Sequence, residues 1–222
     1  MNKKNLISLA MRLAIILLVS AITVVFILAA VNREPSSDAI RVACVGDSLT
    51  QSSVYPLKLW TQLGSNYRGR NFGVGSTTVS LDSETPYMNT SAFQNALEFQ
   101  PEIVIIMLGT NDAQPSLHRY NASFVDDYLK LVDAFQRLSS EPEIWIVLPP
   151  PIFSDEGGKI SPEYFKNTII PLIEQVANET NLPLIDVHSA LAGHSDYFPD
   201  GVHPDIEGGK LIADEIYKAL KS

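Results

Sequence analysis

The chain has 222 residues, a net charge of −9 and a single cysteine, Cys44. That length suits one catalytic domain with a short appendage and buries a full core without a metal or disulfide staple. A lone cysteine excludes an intramolecular disulfide, and the acidity disfavours nucleic acid and bulk anionic lipid as partners.

Residues 1–31 read as the appendage. Lys3, Lys4 and Arg12 precede Leu13 to Val31, 19 residues without a charge. As a helix, that run reaches roughly 28 Å at 1.5 Å per residue, close to the ~30 Å hydrocarbon core of a bilayer. A cleaved signal peptide has a shorter apolar region and a small-x-small cleavage site. Cleavage after Ala30 would put Leu28 where a small residue is wanted. No cysteine follows the run, which disfavours a lipoprotein anchor. A membrane signal-anchor is therefore preferred; a cleaved signal peptide, giving a secreted protein, is the alternative. The positive residues ahead of the run keep the N-terminus cytoplasmic and place the domain outside, in the periplasm or beyond. Residues 32–38 form a polar, proline-containing linker, and 39–222 the folded domain. Residues 1–34 carry Lys3, Lys4, Arg12 and Arg33 against Glu34, a net of +3; taking that from −9 leaves −12 for the rest.

Ile40 to Val45 reads as a buried strand, with Cys44 a small core residue within it. Val54 to Leu63 reads as a helix, Tyr67 to Phe72 as a weaker strand, and Ala92 to Phe99 as a helix that stops before Pro101. Ile103 to Leu108 is a continuous apolar run of the kind buried on both faces of a parallel sheet. Phe124 to Leu138 is a helix with an apolar stripe at Phe124, Tyr128, Leu131, Val132 and Phe135. Ile144 to Leu148 is a strand closed by three prolines. Glu163 to Asn178 is helical, and Pro171 is expected to kink it. Leu184 to Val187 is the last strand, and Ile206 to Leu220 the closing helix. Strands alternating with helices predict an α/β fold: a three-layer α/β/α sandwich on a mostly parallel five-stranded sheet. The expected order is flavodoxin-like, 2-1-3-4-5.

The chemically useful residues follow the strands, where open α/β sheets build their sites. Ser48 follows the first strand, Asn71 to Ser76 the second, Asn111 and Asp112 the third, and Asp200 and His203 the fifth. A serine after a strand is commonly a helix N-cap, and its hydroxyl is a weak nucleophile without a base. His203 is the candidate base. Asp200, three residues earlier, is placed to bond one ring nitrogen and leave the other for Ser48. Acyl transfer also needs donors for a developing oxyanion. The Ser48 N–H, the Asn111 side-chain amide and a main-chain N–H from Gly73 to Ser76 supply them. Singly, these residues also fit capping and turns; four strand ends doing so together favours a site.

These blocks resemble the SGNH hydrolase superfamily, the GDSL-type esterases and lipases. Gly46-Asp47-Ser48-Leu49, Asn71-Phe72-Gly73-Val74-Gly75, Gly109-Thr110-Asn111-Asp112 and Asp200-Gly201-Val202-His203-Pro204 match its four blocks in order, across residues 40 to about 220. The resemblance implies an α/β/α fold, no metal or other cofactor, Ser48 as nucleophile, His203 as base, Asp200 as its partner and Asn111 as an oxyanion donor. Similar members often place glycine five residues after the block-two asparagine. Here that position is Ser76, with Gly75 one earlier, so the main-chain donor is Gly75 or Ser76. His188 and His194 beside Asp200 and His203 fit no metal-ligand spacing, and His118 reads as a surface loop residue.

The expected reaction is ester hydrolysis. The blocks and the Leu148-Pro-Pro-Pro151 turn look most like carbohydrate O-acetylesterases of the sialate or xylan kind. The hydroxyl-rich stretch from Ser76 to Ser91, with Asp82, Glu84 and Tyr87, suits a polar alcohol if it borders the site. The substrate expected is a small or glycan ester. The alternatives are an acyltransferase onto cell-wall sugars, a lysophospholipase or thioesterase, and a catalytically inactive binding module.

Overall fold

The computed structural model describes residues 38–154 and 159–222. The expected membrane anchor, and all of the expected linker except Asp38, fall outside them. No helix among the described residues is long and apolar enough to cross a membrane.

Five strands build the fold: β1 (Ile40–Gly46), β2 (Tyr67–Gly73), β3 (Ile103–Met107), β4 (Glu143–Leu148) and β5 (Leu184–Asp186). They form one parallel sheet in the order β2-β1-β3-β4-β5, as the sequence predicts. Side chains alternate across it because strand period is two. In β1, Val42 and Cys44 enter one core and Ala43 and Val45 the other. In β3, Ile105 and Met107 go with the first pair, Val104 and Ile106 with the second. An uninterrupted apolar run is what such two-sided burial requires.

Helices cover both faces. On the Val42 side lie α2 (Tyr55–Leu63), α7 (Val187–Leu191) and α8 (Ile206–Leu220), through Tyr55, Leu59, Leu191, Ile212 and Ile216. On the Ala43 side lie α3 (Ser91–Glu98), α4 (Phe124–Gln136) and α6 (Ile170–Thr180), through Phe93, Phe124, Phe135 and Ile173. The result is the three-layer sandwich. Cys44 is fully buried, and burial pushes its thiol up to about 12, which leaves it a core residue.

The expected helix over Glu163 to Asn178 is helical throughout but changes its winding: α5 (Pro162–Tyr164) passes into a π-helical turn at Phe165–Ile169 and then into α6. Pro171 lies in the first turn of α6, directly after the π-helical turn, and proline and π-helical turns are both features that bend helices. The strand order reverses between β1 and β3, which sets two strand ends side by side, and the site forms there.

Candidate active site

β1 ends at Gly46, and the chain turns at once into the short helix α1 (Ser48–Gln51). Asp47 caps it, its Oδ1 accepting from the Leu49 N–H at 2.9 Å. Gly46 is required by space: a Cβ there would lie 2.3 Å from the Met107 carbonyl on β3. Asn71 fastens the end of β2 to this turn. Its amide donates to the Thr50 carbonyl at 2.8 Å, and its oxygen accepts from the Gly73 N–H at 2.8 Å. The turn thus holds Ser48 at the carboxyl edge of the sheet, at the start of α1.

The loop after β5 delivers the partner. Asp200 Oδ1 accepts from the N–H groups of Val202 and His203 at 2.9 and 2.7 Å. Its Oδ2 lies 2.7 Å from His203 Nδ1, and His203 Nε2 lies 2.9 Å from Ser48 Oγ. Residues 155 positions apart in sequence therefore form one hydrogen-bonded chain. A carboxylate on Nδ1 favours the tautomer that leaves the Nε2 lone pair facing the serine hydroxyl. Partial burial works to raise the Asp200 carboxyl, but hydrogen bonds from the His203 N–H and ring and from Val202 hold it below the usual carboxylate value. Gly201 makes the loop possible. Its φ is +78°, and a Cβ would come within 2.2 Å of the Ser154 carbonyl oxygen. The Gly201 carbonyl in turn accepts from the Phe153 N–H at 2.8 Å, tying the loop to the segment after β4.

Asn111 sits in a 3-10 turn, Thr110–Ala113, after β3. It is buried, and its amide donates to the Thr77 carbonyl at 2.9 Å. Of the two candidates after β2, Gly75 has its N–H committed to Gln51 Oε1 at 2.9 Å. The Ser76 N–H takes no partner among the described residues, and Ser76 lines the same cavity as Ser48, Asn111 and His203. Ser76 adopts φ +63°, the left-handed conformation that glycine usually supplies.

Asp112 is not a helix cap. Fully buried, it accepts from the Val79 N–H, the Ser80 N–H and the Ser80 hydroxyl at 2.8–2.9 Å. Asp127 on α4 accepts from the Leu81 N–H at 2.9 Å. Two acids from two elements thus pin the 77–81 stretch that holds Asn111. Burial pushes Asp112 up to about 6 and Asp47 up to about 7. The Thr110 hydroxyl partly relieves Asp47, although neither Asp47 Oδ2 nor Thr110 Oγ1 has a well-formed hydrogen bond. The sequence does not announce the pinning by Asp112 or the facing of Asp47 and Thr110. Their only signal there is adjacency to Ser48 and Asn111.

A cavity of about 660 Å³ opens over Ser48. Ser76, Ser83, Glu84 and Thr85 line it, so the hydroxyl-rich stretch does border the site. Tyr87 does not: it is buried, and its hydroxyl donates to the Phe72 carbonyl at 2.8 Å. Asp82 is outside the lining as well. Among the described residues no cluster of three or more His, Cys, Asp or Glu residues suits a metal ion. His188 instead bonds the Pro149 carbonyl, His194 stacks on Tyr197, and His118 stacks on Tyr164, partly buried rather than free on the surface.

The model of the GDSL-like Lipase/Acylhydrolase family matches residues 44–211. The chain belongs to this family of ester hydrolases. A relative, the acetylxylan esterase of Xylanibacter ruminicola, is 32% identical over 84% of this chain. The chain spans 44% of that relative's length. Among solved structures, a carbohydrate acetylesterase from Sinorhizobium meliloti superposes with a TM-score of 0.69 at 20% identity, covering 82% of this chain and 98% of its own. An aryl esterase from M. smegmatis gives 0.68 at 20% identity, covering 82% and 99%. At that identity the two structures attest the fold, and the GDSL fold here is theirs.

Proposed function

We propose that the chain is a serine esterase that removes small acyl groups, acetyl above all, from a carbohydrate. The observation that carries this reading is the hydrogen-bonded chain Asp200–His203–Ser48 at the mouth of a polar cavity. Ser48 Oγ attacks the acyl carbon while His203 Nε2 takes its proton. Charge develops on the carbonyl oxygen, and the Ser48 and Ser76 N–H groups with the Asn111 amide donate to it. The sugar hydroxyl leaves with the proton from His203. Water then attacks the acyl-enzyme, His203 again acting as base, and acetate departs. Asp200 keeps the ring in the working tautomer and stabilises the imidazolium.

The hydroxyl and amide lining suits a sugar better than an acyl tail, and the acetylxylan esterase relative supports the same substrate class. The test is hydrolysis by the full-length chain of p-nitrophenyl acetate, butyrate and octanoate and of acetylated xylan, beside Ser48→Ala. Hydrolysis that falls with acyl-chain length, releases acetate from the xylan and disappears in Ser48→Ala is expected. Undiminished activity in Ser48→Ala sinks the serine mechanism; preference for octanoate sinks the acetyl reading.

A further inference from the structure

The lining of the cavity carries two cations that the proposed chemistry does not use. Arg119 lies in the 3-10 segment Pro115–Tyr120 after β3, and Lys159 lies in the connection after β4. Both line the cavity that holds Ser48. Neither forms an ion pair among the described residues, whereas Arg41, Lys130, Arg137, Lys210 and Lys218 each pair with a nearby carboxylate. The Arg119 guanidinium sits 4.7 Å from the centre of the Tyr120 ring, which also lines the cavity. Stacking of that kind fixes the plane of a guanidinium and leaves its edge N–H groups for a ligand.

Among the described residues, the acids in the lining are Asp200 and Glu84. Asp200 is committed to His203 and Val202 through three hydrogen bonds. Among the described residues, two lining cations without an ion pair then stand against one uncommitted carboxylate, in a domain whose overall charge is strongly negative. A local excess of cations inside an acidic domain has no bearing on solubility. It does match an anionic group on a bound ligand, since a guanidinium fork fits two oxygens of a carboxylate or phosphate.

Resting on the esterase reading, we propose that Arg119, with Lys159 of the same lining, forms a subsite for an anionic oxyacid group on the sugar, so that the preferred substrates are acylated acidic glycans. The two sources of that group are a uronic-type carboxylate and a sugar phosphate. The neutral xylan backbone would fill the cavity without using either cation.

Binding without turnover separates this proposal from the hydrolysis it rests on. Full-length Ser48→Ala is titrated calorimetrically with three unacylated ligands: a digalacturonate, a hexose phosphate and xylobiose. At least one acidic ligand is expected to bind about 10-fold or more tightly than xylobiose. Arg119→Gln in the same background removes that difference, and Arg119→Lys restores part of it. Whichever acidic ligand binds names the source. Equal binding of all three, no binding of either acidic ligand, or an unchanged preference in Arg119→Gln overturns the subsite. Loss of p-nitrophenyl acetate hydrolysis in the native chain would instead count against the esterase alone.

Discussion

Asp47 touches Ser48 through the backbone, and burial makes its charge costly. Its carboxyl moves from an ordinary 3.8 to about 7. Below the ordinary value, folded and unfolded chains are both protonated there, and the group adds no pH dependence. As pH rises the unfolded chain ionises first, so stability falls through the window from 3.8 to about 7 and levels off above it. Asp47→Asn keeps the acceptor for the Leu49 N–H but cannot ionise. Denaturant unfolding between pH 4 and 8 should show the variant gaining on the wild type as pH rises. The gain should be a few kcal/mol at most, since each tenfold change in a protonation equilibrium is worth about 1.4 kcal/mol. Parallel curves would show that Asp47 is not the group responsible. Asp200→Asn acts on chemistry instead. An amide in that place favours the wrong tautomer of His203, so kcat should fall roughly 10³- to 10⁴-fold with KM little changed. Ser76→Gly is expected to go the other way. If the donor is the main-chain N–H, activity persists, and relief of the left-handed φ of +63° stabilises the fold by about 1 kcal/mol. A collapse of kcat in Ser76→Gly would mean the hydroxyl itself is needed.

At the scale of elements, the strands are legible because two-sided burial writes a continuous apolar run, as in Ile103 to Met107. Helix α4 is legible because its buried residues repeat at the helical period. The π-helical turn at Phe165–Ile169 is not, since its widening is a response to Pro171 and to packing rather than a pattern of its own. The site is legible as four strand ends, but the fastening between them is not. Asp112 bonds residues 32 and 33 positions away, and no local pattern encodes such a contact. Asp112→Ala should therefore leave the buried Val79 and Ser80 N–H groups unmatched, at about 1–3 kcal/mol each. It should also lower kcat, because the 77–81 stretch positions Asn111 and Ser76. Thermal unfolding and steady-state kinetics on the same preparation check both effects; full stability with full activity would remove the pinning role. Gly201→Ala tests the histidine loop. Its strained φ and the approach to Ser154 force the loop to move, so kcat should drop more than about 100-fold, since small misplacements of catalytic groups are costly.

For the whole molecule, the proposed glycan esterase has to be placed where such polymers are. The 19 uncharged residues from Leu13 to Val31, with Lys3, Lys4 and Arg12 ahead of them, are a helix-length apolar segment with positive charge on one flank. We propose that they anchor the chain with its catalytic domain outside the cytoplasm. So held, the domain would meet polymers at or beyond the cell surface, the substrates of the proposed esterase. The prediction is that the full-length chain, expressed in a bacterial host, stays in the membrane pellet after an alkaline carbonate wash. Protease added to spheroplasts should then remove its esterase activity. Deleting residues 1–34 should move the protein to the soluble fraction, because the uncharged apolar run is removed with them. Recovery of a soluble, secreted chain with a new N-terminus near Val31 would instead establish a cleaved signal peptide. Protection of the activity in intact spheroplasts would place the domain on the cytoplasmic side and remove extracellular glycans from its reach.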